Sequence, residues 1–209
     1  MKERLDAEKR MREEGRLPPG QSLTLRFPVL HYGPVPEFVE TEWEFKIFGE
    51  VIKEVKLNWK EFCSLPTTEV EMDIHCVTAW SKKNTKWKGV TIKTLVDLGL
   101  FLPKNDVSFI IQHCEFGYTT NLPLKTAIGD NFILATHYEG KPLAPEHGYP
   151  LRGVCGAIPN RKELDDIYLW KGGKWLRGIE ACTEDKPGFW EKSGYHNRGN
   201  VWKEERFVP

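Results

Sequence analysis

Long apolar segments are missing from this 209-residue sequence, and no run of residues has the length and character of a membrane-spanning helix. The first twenty residues are highly charged and contain neither an apolar core nor a twin arginine, so they do not resemble a secretory signal. The net charge is zero, because 30 Lys and Arg balance 30 Asp and Glu. This balance argues against a general nucleic-acid or membrane-surface binder. We therefore predict a cytoplasmic protein with no nucleic-acid and no membrane partner.

Several common catalytic signatures are absent as well. The sequence has no P-loop, no dinucleotide fingerprint, and neither an H-E-x-x-H nor a G-x-S-x-G motif. Its five cysteines are an odd number without any C-x-x-C pair, which argues against a disulfide framework and a zinc knuckle and favours a reducing compartment. They are Cys63, Cys76, Cys114, Cys155 and Cys182.

The composition that remains is that of an ordinary globular domain, with 40% apolar and 29% charged residues. Opposite charges four residues apart, such as Arg4 with Glu8 and Lys9 with Glu13, predict a solvated helix near the start of the chain. We divide the chain into a charged helical arm, residues 1–16, and one domain, residues 17–209. An exposed arm is the simpler interpretation, and docking on a partner is the alternative.

Short segments with alternating apolar residues predict many strands, and two segments predict short helices capped by Asn58 and Thr91. Cys63 lies in the first of these helices, where we expect it to pack in the core. We expect "GYTTNLPLKTAIG" to be a loop that leads into a helix, and "IYLWKGGKWLRGIEAC" to be two strand-like pieces. Strands and helices do not alternate regularly, so the pattern favours an α+β domain with high β content.

One strand ends at a cysteine. Met72, Ile74 and Cys76 share a face by period-two alternation, and the alternation stops at Cys76. A Cys–His nucleophile pair with His75 is conceivable, but adjacent strand residues point to opposite faces. We therefore expect this strand to deliver Cys76 to a loop that shapes a pocket.

Three polar clusters contain glycines next to cationic or hydroxyl side chains: "EHGYPLRG", "WKGGKW" and "HCEFGYTTN". Glycine allows close approach of backbone N–H groups, while Lys and Arg supply charge-assisted hydrogen bonds. Each cluster is therefore a candidate anion or polar-ligand site. The alternative for "WKGGKW" is a tight turn with solvated lysines.

Taken together, "FPVLHYGPVP", "DIHCVTAWS", "HGYPLR", "WKGGKWLRGIE" and "PGFWEKSGYHNRG" resemble the molybdopterin-dependent oxidoreductases of the sulfite oxidase family. The motifs occur in the family's order and cover residues 17–207, essentially the whole chain. The resemblance implies the sulfite oxidase molybdopterin-binding fold, with mixed, β-rich sheets and short helices.

The resemblance also implies a molybdenum–molybdopterin cofactor with Cys76 as the protein ligand to the metal. A thiolate is the soft ligand that molybdenum prefers, and the cofactor would supply the other sulfurs. Cys76 and Tyr118 are the implied catalytic residues. The implied cofactor-binding residues are His31, Tyr32, Cys76, Thr119, His147, Arg152, Gly172, Gly173 and Lys174. Lys171 is a further candidate for the phosphate, and His31 has the alternative of capping its own turn.

By this resemblance the protein is an oxidoreductase that transfers an oxo group or two electrons to or from a small molecule. Because the sequence contains no haem motif and no flavin site, it would exchange electrons with a separate donor or acceptor protein. Sulfite oxidases carry an arginine five residues after the cysteine, where this chain has Ser81, and another where it has Leu30. These departures predict a substrate other than sulfite.

Two alternatives remain at this point. One is a reductase of sulfoxides or other X=O groups, and the other is a carrier that binds molybdopterin without turnover. The segment 153–168 is atypical of the family. Its Cys155 and Arg161 would either line the site or belong to a surface excursion.

Overall fold

The computed structural model describes residues 2–161 and 169–208, and these form two β-sheets with short helices packed against them. The helices are α1 (Lys2–Glu13), α2 (Trp59–Cys63), α3 (Ile92–Asp97) and α4 (Leu124–Ala127). The strands are β1 (Ser22–Leu23), β2 (Glu44–Gly49), β3 (Val55–Asn58), β4 (Thr68–Cys76), β5 (Trp80–Val90), β6 (Phe109–Cys114), β7 (Thr119–Pro123), β8 (Phe132–Tyr138), β9 (Lys141–Pro142), β10 (Arg152–Cys155) and β11 (Leu176–Cys182). None of these helices has the length and apolar character needed to cross a membrane.

Both sheets combine parallel and antiparallel pairs, which confirms the prediction of mixed, β-rich sheets. In the first sheet β5 pairs with β4 and β8 in antiparallel fashion and with β1 in parallel, while β8 also pairs with β9 and β10. In the second sheet the order is β3-β2-β11-β6-β7, and only β11 with β2 is parallel. This arrangement is the predicted α+β architecture.

The core lies on both faces of the first sheet. Phe132 and Leu134 of β8 join a cluster that includes Phe45 and Ile179 of the second sheet, so the two sheets share one core. Ile133, the alternate residue of β8, joins a separate cluster on the other face. Because successive side chains of a strand point in opposite directions, β8 is buried on both sides and fixes the strands beside it.

The two predicted helix caps are present. Asn58 Oδ1 accepts a hydrogen bond from Glu61 N at 2.9 Å, and Glu61 Oε2 accepts one from Asn58 N at 2.8 Å, which is a complete capping box. Thr91 Oγ1 accepts from Thr94 N at 3.0 Å. The expectation that Cys63 packs in the core is wrong, because Phe62 takes the buried face of α2 and leaves Cys63 exposed.

Three of the sequence expectations for secondary structure are also corrected. The segment after Cys76 is the long strand β5, so the expected loop has only residues 77–79. The expected loop at Tyr118–Pro123 is largely β7. The first strand-like piece before Gly172 is a 3-10 turn, Leu169–Lys171, and its Ile167 and Tyr168 lie outside the described residues.

The N-terminal arm forms the predicted helix, and its charge pairs include Arg4–Glu8 at 2.8 Å and Lys9–Glu13 at 3.9 Å. The helix is largely solvated, yet it does not stand free of the domain. Met11 is buried against Leu17 and Leu23. The arm therefore docks on its own chain.

Immediately after α1, Arg16 donates to both carboxylate oxygens of Asp73 at 2.8 Å each. Asp73 lies on β4 and is almost fully buried. The bidentate ion pair joins the N-terminal segment to the strand that carries Cys76.

Candidate active site

A cavity of about 370 Å³ opens where β4 and β5 meet the start of β10, and its walls are mainly aromatic. The structure brings seven of the predicted site residues to its lining: His31, Tyr32, Cys76, Tyr118, Arg152, Gly172 and Lys174. These residues come from five separate parts of the sequence. We refer to this cavity as the pocket.

Cys76 is the last residue of β4 and is held from several directions. Thr78 Oγ1 donates a hydrogen bond to its Sγ at 3.1 Å. Its carbonyl accepts from Gln21 Nε2 at 2.9 Å and from Ala79 N at 3.1 Å. The position of the sulfur is therefore set by a strand end, a tight turn and the N-terminal segment.

The pairing of β4 with β5 decides which side chains accompany Cys76. Cys76 lies opposite Trp80 and His75 lies opposite Ser81. Because residues directly opposite in an antiparallel pair share a face, Trp80 joins Cys76 in the pocket while Ser81 joins His75 on the reverse face. Ser81 therefore does not line the pocket, which corrects the expectation that this side chain takes the place of a substrate-binding arginine.

The reverse face holds a buried hydrogen-bond chain. Ser81 Oγ donates to Gln21 Oε1 at 2.5 Å and lies 2.8 Å from His75 Nδ1. Because the Ser81 hydrogen goes to Gln21, the His75 Nδ1–H donates to Ser81. Burial lowers the pKa of His75 to about 4, so the ring is neutral near pH 7. His75 faces away from Cys76 and does not form a nucleophile pair with it.

Two cations lie deep in the pocket. Arg152 is almost fully buried, and its Nη1 donates to the carbonyl of His147 at 2.9 Å. Lys174 Nζ donates to the carbonyl of Glu146 at 2.8 Å. Burial lowers the pKa of Arg152 to about 10, and burial followed by the charge of Arg152 lowers the pKa of Lys174 to about 7.

No Asp or Glu is among the described residues that line the pocket. The positive charge of Arg152 and Lys174 is therefore solvated by backbone carbonyls and has no carboxylate partner there. Such a site favours an anionic ligand group, because the ligand would supply the missing counter-charge.

His147 lies behind the pocket wall. Its ring stacks on Phe27 with 4.1 Å between the centroids, and burial lowers its pKa to about 4. Its Nδ1 is a buried polar atom for which the described residues offer no hydrogen-bond partner. A ligand that reached this nitrogen would remove the cost of leaving it unpaired.

Thr119 and Gly173 do not reach the pocket lining. The Thr119 carbonyl accepts from Phe189 N at 2.9 Å. The Gly173 N–H is already used by Gln112 Oε1 at 2.9 Å, so it is not free for a phosphate.

The two glycines of "WKGGKW" are required by packing inside the protein. A Cβ at Gly172 would lie 2.3 Å from the carbonyl oxygen of Gly153, and one at Gly173 would lie 2.4 Å from Cys114 Sγ. Lys171 points away from the pocket, where its ammonium bonds to Glu191 and to Asn121 Oδ1. This corrects the expectation that Lys171 binds a phosphate.

His31 caps its own turn and also lies at the pocket wall, so contact with the cofactor stays a prediction. Its Nδ1 lies 3.0 Å from the carbonyl oxygen of Gly33, and its ring packs edge-on against Trp175 at the pocket wall. Tyr32 packs against Phe189 with 4.4 Å between the rings. Burial raises the pKa of Tyr118, so its hydroxyl keeps its proton near pH 7.

Several lining residues were not predicted from the sequence: Phe27, Thr78, Trp80, Trp190, Tyr195 and Arg206. The last three belong to the C-terminal tail, which lacks a periodic pattern. Trp80 could have been predicted, because a hairpin turn at residues 77–79 places it directly opposite Cys76 on the same face.

Neither Cys155 nor Arg161 of the atypical segment lines the pocket. Cys155 is buried in the main core, and Arg161 lies at the surface with Asp130 Oδ2 at 3.4 Å. The segment therefore begins as the buried strand β10, and of the described part only the end, at residues 160–161, lies at the surface. Residues 162–168 lie outside the described residues.

Known proteins resemble this chain over most of its length. Residues 32–190 match the family described as an oxidoreductase molybdopterin binding domain. The uncharacterized oxidoreductase YuiH of Bacillus subtilis (strain 168) is 41% identical over 94% of each chain. The protein-methionine-sulfoxide reductase catalytic subunit MsrP of Campylobacter jejuni is 26% identical over 74% of this chain and 54% of its own.

Among solved structures, the sulfane dehydrogenase SoxCD from Paracoccus pantotrophus superposes with a TM-score of 0.62 at 17% identity, over 78% of this chain and 43% of that one. This likeness shows a shared fold. The family match and the 41% identity with YuiH show family membership in addition to the fold. The chain belongs to the molybdopterin-binding oxidoreductases of the sulfite oxidase family, and it is an enzyme that uses the molybdenum cofactor.

Proposed function

We propose that Cys76 ligates molybdenum in the pocket and that the protein transfers an oxo group or two electrons to or from a small organic molecule. The observation that carries this proposal is the Cys76 sulfur at the end of β4, facing a pocket whose deep cations have no carboxylate partner. A thiolate satisfies the soft-ligand preference of the metal. Arg152 and Lys174 would hold the cofactor phosphate, and His147 would bond to the pterin.

When bound, the cofactor supplies the two-electron redox chemistry. The surrounding residues position the cysteine ligand, bind the substrate and limit access of water. Thr78 donates to the Cys76 sulfur and so stabilises negative charge on it, while Gln21 fixes the carbonyl of the same residue. Tyr118, which stays protonated near pH 7, would donate a hydrogen bond to a substrate oxygen. The aromatic walls limit access of water to the reacting atoms.

The second candidate function is the reduction of a sulfoxide or another X=O group. The aromatic side chains of Trp80, Trp190 and Tyr195 favour it, because they match an organic substituent better than a small inorganic oxyanion such as sulfite. Two relatives are named as protein-methionine-sulfoxide reductase subunits, which supports the same direction. A carrier without turnover is disfavoured by membership in an oxidoreductase family.

We further propose that the protein works in the cytoplasm with a separate electron-transfer protein. Support for the reducing compartment comes from the cysteines, all five of which are free thiols. Support for the separate partner comes from the sequence, in which we find no haem motif or flavin site.

The test is a pair of cysteine variants made in a host that produces the cofactor. We expect Cys76→Ser to lose turnover and the molybdenum(V) electron paramagnetic resonance signal while retaining the fold, because serine is close to cysteine in size. Cys63→Ser is the matched control and should behave as wild type, since Cys63 is exposed on α2.

Three results would count against the proposal. Full activity in Cys76→Ser would refute the ligand assignment. Wild-type protein without molybdenum and pterin would refute the site itself. A bound cofactor that no reductant or oxidant changes would favour the carrier.

A further inference from the structure

The C-terminal tail forms one wall of the pocket. Tyr195 and Arg206 of this tail line the pocket and lie beyond residues 32–190, the part that matches the family. Backbone bonds fix their positions: His196 N donates to the Arg206 carbonyl at 3.1 Å, and Val208 N donates to the Gly194 carbonyl at 3.0 Å. The tail therefore presents Arg206 from a hydrogen-bonded segment.

Within the described part of the chain, the Arg206 guanidinium makes no hydrogen bond and no ion pair. Its Cζ lies 5.0 Å from the centroid of the Phe207 ring, which packs on Tyr195. The adjacent Glu205 carboxylate is engaged by His196 at 3.3 Å and by Asn200 N at 3.1 Å. Glu204 lies against Gly20. Both carboxylates and Arg206 also line a second, smaller cavity, but among the described residues no ion pair joins either carboxylate to Arg206.

The cations of the pocket are separated by depth. Arg152 is almost fully buried and Lys174 is partly buried, and the proposed function assigns both to the cofactor phosphate. Arg206 is exposed at the opening of the pocket, and the proposed function gives it no role. Aromatic side chains, including Trp80 and Trp190, line the same pocket.

We propose that Arg206 is a specificity-determining residue that binds an anionic group of the substrate, such as a carboxylate or a sulfonate. The substrate class is then a small organic anion. Its reacting group, which is X=O for reduction or X for oxidation, would point toward the metal, and its charged end would lie at the opening. A guanidinium forms paired hydrogen bonds with a carboxylate, which makes the interaction directional as well as charged. This inference rests on the proposed function, because it needs a reacting centre at Cys76.

The experiment compares two substrates that differ in charge, methyl phenyl sulfoxide and 4-(methylsulfinyl)benzoate. Each is reduced by two electrons from reduced methyl viologen and two protons, giving the sulfide and water. We expect Arg206→Gln to lower kcat/KM for the anion on the order of ten- to a hundredfold, mainly through KM, and to leave the neutral sulfoxide unchanged. Arg206→Lys should retain part of the preference, since it keeps the charge without the planar fork.

Lys203→Gln is the matched control, because Lys203 is an exposed cation of the same tail that does not line the pocket. It should change neither substrate. An equal fall for both substrates in Arg206→Gln, or no fall for either, would overturn the inference. A lower molybdenum or pterin content in Arg206→Gln would also overturn it, because Arg206 would then belong to the cofactor site.

Calorimetric binding of 4-(methylsulfinyl)benzoate to the loaded protein decides the matter without turnover. Tighter binding to wild type than to Arg206→Gln supports the inference, whereas equal binding or no binding to wild type refutes it. Failure of the proposed function looks different, since wild-type protein would then contain no molybdenum or would ignore both reductant and oxidant.

Discussion

The Lys174 ammonium shows how strongly the pocket disfavours unpaired positive charge. Burial and the neighbouring Arg152 lower its pKa to about 7, far below the value of about 10.4 for an unfolded chain. Between these two values the unfolded chain binds more protons than the folded protein. The free energy of unfolding of the cofactor-free protein should therefore rise with pH through this window.

We predict that cofactor-free wild type becomes more stable between pH 7 and pH 9, with Lys174 contributing at most about 1.4 kcal/mol per pH unit. Lys174→Met should remove this contribution, leaving only the pH dependence that the two proteins share. Urea unfolding of both proteins at the two pH values measures the difference. An identical slope in the variant would show that Lys174 is not desolvated in the free pocket.

At the scale of single residues, the sequence was most informative where chemistry is rare. Each polar motif alone was a weak signal, and it was the resemblance of the spaced motifs to the sulfite oxidase family that predicted Cys76, Arg152 and Lys174 in one site. Thr78 could not be predicted as a donor to sulfur, because that contact depends on the three-residue turn after Cys76. Ser81 misled the substrate argument, since only the hairpin register shows which face it occupies.

Among the elements, helix α1 shows how little apolar surface is needed to dock a charged segment. Met11 is 1% exposed and packs with Leu17 and Leu23, whereas most of the helix is solvated. The neighbouring Arg16–Asp73 ion pair then connects the segment to β4. The helix should therefore contribute to the stability of the strand that carries Cys76.

We predict that Met11→Ala lowers the free energy of unfolding by about 2 kcal/mol, the low end for a buried methionine, because the surrounding cluster is small. Leu5→Ala is the control, since Leu5 is 49% exposed on the same helix, and it should change stability by less than about 0.5 kcal/mol. Chemical denaturation of the two variants measures both values. Equal effects would mean that α1 does not dock in solution.

The elements that the sequence missed have a common physical cause. In β5 the buried side chains of Ser81 and Thr85 are polar, a register shift opposite Met72 and Ile74 interrupts the alternation, and other positions are rich in lysine. Such a strand forms because it pairs with β4 and β8 on either side. The β-propensity of the local sequence gives no information on this pairing. The helices at Asn58 and Thr91 were predictable because their caps are local.

On the scale of the whole molecule, one buried ion pair fastens the tail to the domain. The Lys171 ammonium bonds to Glu191 and to Asn121 of β7, and both charged side chains are almost completely buried. Asn121 also donates to Asp185 and Asn197 of the tail, at 2.5 and 2.8 Å. This network determines where the tail begins its path across the pocket.

We predict that Glu191→Gln destabilises the protein by about 3 kcal/mol, because it leaves the Lys171 ammonium buried without a counter-charge. Adding Lys171→Met to that variant should recover most of the loss, since the unpaired charge is then removed. Lys192→Gln, at an exposed neighbouring position, is the control and should be nearly neutral. A double variant no more stable than Glu191→Gln would contradict the assignment of the loss to the unpaired charge.

The path of the tail also has a consequence for how the protein is made. During translation Cys76 and its hairpin leave the ribosome long before Tyr195 and Arg206, which form part of the pocket wall. The nascent chain thus has a partly open groove in place of the pocket, and the enclosed site exists only after residue 206 has emerged. A premature stop codon before residue 195 should therefore yield chains whose pocket lacks this part of its wall.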